Sequence, residues 1–137
     1  MKSWLIAIFL VSLSTTALLA SEKSKEKIYL TCAITSTYNE QKDDVSPTTG
    51  SHGLIVEQGN SDAVRVISDK IGVPYLGTMT QIRIFASASY TLGDSRLQTN
   101  EWIEVSRLTG EYKNGFSLDG KPGLVHFGQC QRVIPKF

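Results

Sequence analysis

The sequence is poor in the materials of catalysis. Of 137 residues only two are cysteine, two histidine and four proline, and 14 basic side chains nearly balance 13 acidic ones. No serine stands in G-x-S-x-G or S-x-x-K, and His52 and His126 belong to no metal-binding spacing. Two histidines give little from which to build an activated nucleophile, so no catalytic residue, metal ligand or cofactor is expected and the chain reads as a non-enzyme. Glu40, Asp43 and Asp44 crowd one polar stretch, but the D-x-D-x-D-G order of a calcium loop is absent, and a solvated acidic segment is expected. The balanced charge lacks the broad attraction that holds nucleic acid or an anionic membrane surface, so neither partner is expected.

Long hydrophobic runs are equally scarce. The one candidate, 4–13, follows Lys2 and precedes small residues up to Ala20, the pattern of a secretory signal peptide over residues 1–20. It falls short of the roughly 20 residues that a spanning helix needs, and no second such run follows. Removal near Ala20 leaves 117 residues in which 13 basic side chains face 13 acidic ones, enough for one core, without an integral membrane span and in the periplasm or outside the cell. No cysteine follows the small residues, so a lipid anchor is not expected.

What is present is a covalent staple and a strand pattern. Cys32 and Cys130 lie near the two ends of the exported part, and an even count in an oxidising compartment predicts a disulfide between them. Residues 21–27 alternate Lys, Glu and Ser and read as a polar tail before a single β domain over 28–137. Ile28, Leu30, Cys32 and Ile34 alternate with Tyr29, Thr31, Ala33 and Thr35, a period of two that predicts a strand. Residues 38–51, with Pro47 and Gly50, read as a long exposed loop containing neither strand, followed by a short strand over 53–57. Residues 61–72 fit either a helix capped by Ser61 or a strand; β-branched Val64, Val66 and Ile67 favour strand. The clearest strand is 81–91, with Ile82, Ile84, Ala86, Ala88 and Tyr90 on one face and Gln81, Arg83, Phe85, Ser87 and Ser89 on the other. A strand over 101–108 puts Ile103 and Val105 opposite Trp102, and Gly110 suggests a bulge. Asn114-Gly115 and Asp119-Gly120 both carry the dipeptide of two-residue hairpin turns. The last strand, 124–134, holds His126 and Cys130. The expected fold is all-β, a single antiparallel sandwich or small barrel of six to eight strands with one disulfide.

Large amphipathic residues are the usual anchors of recognition when exposed. Tyr75, Tyr90, Trp102 and Tyr112 are of this type, which more often fills a core; Tyr90 and Trp102 are the candidate binding residues, Trp102 because its strand parity turns it outward. Phe137 ends the chain as in outer-membrane barrels, but counting back by twos gives Pro135, Val133, Gln131 and Gln129, not a lipid-facing row.

The frame Tyr29-Leu30-Thr31-Cys32, Arg107-Leu108-Thr109-Gly110 and Gly128-Gln129-Cys130 resembles small exported bacterial β proteins of unknown function, which implies a fold and no activity. The chain is also similar to the periplasmic and membrane-bound inhibitors of C-type lysozyme, small exported barrels with a Tyr-x-Cys start and a C-terminal Cys. Their Ser-Gly-x-x-Tyr loop corresponds here to Ser87-Ala88-Ser89-Tyr90, without the Gly and one spacer, and Trp102 is followed by Ile103 and Glu104 rather than the family's Lys and Gly. The reading is therefore an exported, non-catalytic binding or structural protein whose partner is a protein or envelope ligand, with lysozyme inhibition as the alternative.

Overall fold

The structure, a computed structural model, describes residues 25–136. The leader expected at 1–20, the first four residues of the expected tail and Phe137 lie outside the described residues. Eight antiparallel strands follow one another: β1 (Lys27–Asn39), β2 (Asp44–Gln58), β3 (Ala63–Ser68), β4 (Tyr75–Met79), β5 (Arg83–Leu92), β6 (Leu97–Ser106), β7 (Glu111–Leu118) and β8 (Lys121–Val133). Each pairs with its neighbour, and β8 pairs with β1, so the sheet closes into a barrel and the choice between sandwich and barrel is decided. Among the described residues a 3-10 turn at Gly93–Ser95 is the one helical element, and no helix is long and apolar enough to cross a membrane.

Side-chain alternation sets the inside and the outside of the wall. In β5, Ile84, Ala86 and Ala88 are buried while Arg83, Phe85, Ser87 and Ser89 between them are exposed. In β6, Thr99, Ile103 and Val105 are buried. The inward rows meet in one core that includes Leu54, Val56, Val64, Val66, Ile84, Ile103 and Val105. The outward rows carry Arg65, Arg83, Glu104, Lys113 and Gln129, whereas a lipid-facing barrel needs an outward apolar band. Cys32 and Cys130 stand directly opposite each other where β1 meets β8 and form the disulfide, which locks the closing seam.

Four sequence expectations change. Residues 38–51 are not a loop: apart from a turn over 40–43, they form the arms of β1 and β2, paired through Tyr38 with Val45 and Asn39 with Asp44. Backbone pairing holds this arm together although its side chains are exposed, so apolar periodicity could not reveal it. Asn114-Gly115 is not a turn but the middle of β7, where Trp102 of β6 lies over Gly115 and a β-carbon at 115 would clash with the indole. Asp119-Gly120 is the hairpin turn, with φ of 47° and 73°. Gly110 has the left-handed backbone expected, φ 77°, but it closes the β6–β7 turn rather than a bulge. The first strand also begins at Lys27, one residue inside the expected tail, where Lys27 pairs with Glu57. Residues 61–72 contain a strand, β3, as preferred, and its ladder with β2 runs from Leu54 with Ser68 to Gln58 with Val64.

The wall is uneven. β3 and β4 have six and five residues against 13 to 15 in β1, β2 and β8. β2 above Gly53 is paired on one side only, with β1, and β5 above Ser87 only with β6. We call this end, which holds the β1–β2, β3–β4, β5–β6 and β7–β8 turns, the upper end.

Candidate functional site

Two clusters of polar and aromatic side chains stand out, one inside the upper barrel and one outside it on β5, β6 and β7. The inner cluster begins with two histidines. His52 Nδ1 lies 2.6 Å from the Tyr112 hydroxyl, and His126 Nδ1 lies 2.7 Å from Thr37 Oγ1, which itself accepts from Thr48 Oγ1 at 2.8 Å. The rings meet edge to face with centroids 6.3 Å apart. Burial lowers the proton affinity of both; for His52, the Asp69 charge opposes this, and His126 and Lys70 add to it.

Glu101 completes the inner cluster. It accepts from the Tyr90 hydroxyl at 2.8 Å and from Asn114 Nδ2 at 3.0 Å, and Asn114 also donates to the Trp102 carbonyl at 3.0 Å. Burial first, then the hydrogen bond from its hydroxyl to Glu101, pushes Tyr90 up to about 12. Burial and the Glu101 charge raise Tyr75 as well. Among the described residues no ion pair reaches Glu101; the four observed involve Glu26, Glu57 and Glu104.

This arrangement brings hydroxyls beside imidazoles, the first requirement of nucleophilic catalysis, but not the others. Thr37 and Tyr112 are buried, at 7% and 1% exposure, where no substrate atom can reach them. No carboxylate hydrogen-bonds either ring to orient it, and no three His, Cys, Asp or Glu side chains among the described residues gather as a metal would require. The hydroxyls that approach the two rings belong to the cluster itself.

The outer cluster centres on Trp102, which β6 parity turns outward while Ile103 and Val105 are buried. Its indole covers Gly115 on one strand and lies near-parallel to Phe85 on the other, with ring centroids 6.5 Å apart and planes 24° apart. The missing β-carbon of Gly115 is what lets the indole lie down on the sheet. These two rings floor a groove of about 600 Å³ whose lining includes Ser87, Ser89, Asn100, Glu104, Ser117 and, from the β1–β2 turn, Glu40. Ser89 donates to Asn100 Oδ1 at 2.6 Å, which leaves the Asn100 amide group facing other partners, and Arg83 approaches Glu104 at 3.8 Å.

The sequence-derived binding pair is thus split. Trp102 lies in the outer groove, whereas Tyr90 turns inward to Glu101. Phe85, His52, Glu101 and Asn114 went unnoticed as site residues. Parity could have found two of them: Phe85 shares a face with Ser87 and Ser89, and Glu101 with Ile103 and Val105. The disulfide pair, Cys32 and Cys130, is in place.

Together these features define a small, stapled, closed antiparallel barrel with a polar upper interior and an outer aromatic groove. No protein-family model, curated protein or solved structure matches the chain.

Proposed function

We propose that the chain is an exported, non-catalytic binding protein, working in the periplasm or outside the cell, whose recognition surface is the groove around Trp102. One observation carries the reading: two large, near-parallel aromatic rings stand partly exposed on the outer face of the sheet, Phe85 at 37% exposure, with polar side chains around them. Exposed aromatics on a fixed scaffold are costly to leave in water and are the commonest anchors of binding. Export is supported by the leader pattern and by a disulfide, a bond that persists in oxidising compartments.

The test compares wild type with Trp102→Ala as immobilised, oxidised baits against separate envelope fractions of protein, cell-wall glycan and lipid. A component retained by wild type and lost by the variant supports the reading; equal retention by both removes the groove from it. The same samples belong in a lysozyme assay, where stoichiometric inhibition would replace the reading with the inhibitor one. Turnover of a substrate that disappears in His126→Gln would overturn the non-catalytic part.

A further inference from the structure

We infer that the Trp102 groove is a saccharide site that takes a neutral oligosaccharide; the inference rests on the binding role just proposed and names its ligand class. A pyranose ring has a flat face of C–H bonds and a rim of hydroxyls. It needs an apolar plane beneath it and small polar groups around it. Trp102 and Phe85 supply two near-parallel ring faces with centroids 6.5 Å apart, the indole pinned from below at Gly115. Ser87, Ser89, Asn100 and Glu104 alternate around it on the outward face of β5 and β6, offering hydroxyl, amide and carboxylate groups. The hydrogen bond from Ser89 occupies the oxygen of Asn100 and leaves its amide hydrogens to donate.

The other ligand classes fit less well. An extended peptide binds a sheet through backbone groups, but at this level every strand is already paired on both sides: Leu76 with Ser87, Ser87 with Trp102, Trp102 with Gly115 and Gly115 with Val125. A polyanion would meet Glu40, Glu101 and Glu104 with no Lys or Arg among the lining residues, and Arg83 at the edge is engaged by Glu104. A quaternary ammonium group prefers a cage of several aromatic walls to one open plane.

The exported chain offers its own probe. The sequence has two tryptophans, and Trp4 falls in the expected leader, so Trp102 is the sole tryptophan of the mature protein. Its emission should respond saturably to chitotetraose or cellotetraose, and not to polygalacturonate, choline or a lysine-rich peptide. Phe85→Ala should weaken the saccharide response about tenfold, the loss of one aromatic contact worth roughly 1.4 kcal/mol. Leu108→Ser, in the β6–β7 turn, should leave it unchanged. Trp102→Ala, followed by calorimetry, should abolish binding while the protein keeps its far-ultraviolet circular dichroism. A response to the polyanion, choline or peptide alone would overturn the saccharide class and keep the groove as a binding site. Silence toward all the probes would overturn the saccharide class, and the immobilised-bait comparison would then decide separately whether the groove binds anything.

Discussion

The two halves of the barrel interior are built on opposite principles. The lower half is filled by Val56, Val64, Val66, Met79, Ile84, Ile103 and Val105, side chains without a polar atom. The upper half holds three hydrogen-bonded groups: Thr48, Thr37 and His126; His52 and Tyr112; and Tyr90, Glu101 and Asn114. An eight-stranded barrel is just wide enough for its side chains to fill. Apolar filling stabilises through the area removed from water, about 25 cal/mol per Å², whatever its orientation. Polar filling stabilises only while each donor meets its acceptor, since an orphaned buried group costs roughly 1 to 3 kcal/mol. The lower half should therefore carry the stability, and the upper half should carry the sensitivity to pH.

The Cys32–Cys130 bond joins the first strand to the last, so breaking it is the largest change available. It spans 98 residues of sequence, and closing a loop of that length removes denatured-state entropy worth roughly 4.7 kcal/mol. Cys32→Ser with Cys130→Ser should lower the urea midpoint of the oxidised protein by that order, and the same loss should follow reductant. If both thiols alkylate in native, non-reduced protein from its own compartment, the staple is absent there.

Next in size is a cut into the dry half. Ile103 is 1% exposed at the centre of β6, and Ile103→Ala should cost about 3 to 4 kcal/mol, because the rigid wall cannot collapse onto the cavity. In the polar half, Asn114→Ala removes two hydrogen bonds at once, to Glu101 and to the Trp102 carbonyl, and should cost about 2 kcal/mol. Chemical denaturation of the two variants side by side measures the contrast; an Asn114 variant weaker than the Ile103 variant would reverse the assignment of stability to the lower half.

How much of this contrast was legible in the sequence depends on side-chain period. The strands whose inward rows are apolar, β1 near Cys32, β5 and β6, could be read from alternation alone. The upper interior could not, because its inward residues are polar and an alternation of His52, Gly50 and Thr48 with Ser51 and Thr49 has no contrast to detect. The same residues therefore looked like loop. Asn114 and Gly115 were misread for a related reason: the turn dipeptide is a local signal, and what overrides it is a side chain 13 residues away in sequence, the indole of Trp102. Barrel closure, a property of the β1–β8 ladder, has no local signature.

The pH response distinguishes the halves directly. Burial holds His52 and His126 below their ordinary value of 6.5 in the fold, so the unfolded chain takes up protons more readily than the folded one as the solution is acidified. Stability from these two groups is fully present above about pH 6.5 and is lost as the pH falls through and below that value. Both rings keep some contact with solvent, which tempers the slope. Urea midpoints measured from pH 8 to pH 5 should decline below pH 6.5, and the decline should flatten in a His52→Gln, His126→Gln double variant. A decline of equal steepness in that variant would move the sensitivity away from the histidines.

The smallest expected effect has the opposite sign. Thr99 is 2% exposed at the inward face of β6, and among the described residues its hydroxyl is the one buried side-chain polar atom without a hydrogen-bond partner. Thr99→Val keeps the shape and the β-branching that suit a strand and removes the orphaned hydroxyl. The substitution should therefore leave stability unchanged or raise it by up to about 1 kcal/mol, although it deletes a polar group from the polar half. A loss of more than about 1 kcal/mol would mean that the hydroxyl has a partner in solution, with a buried water as the natural one, and the upper interior would then be wet rather than merely polar.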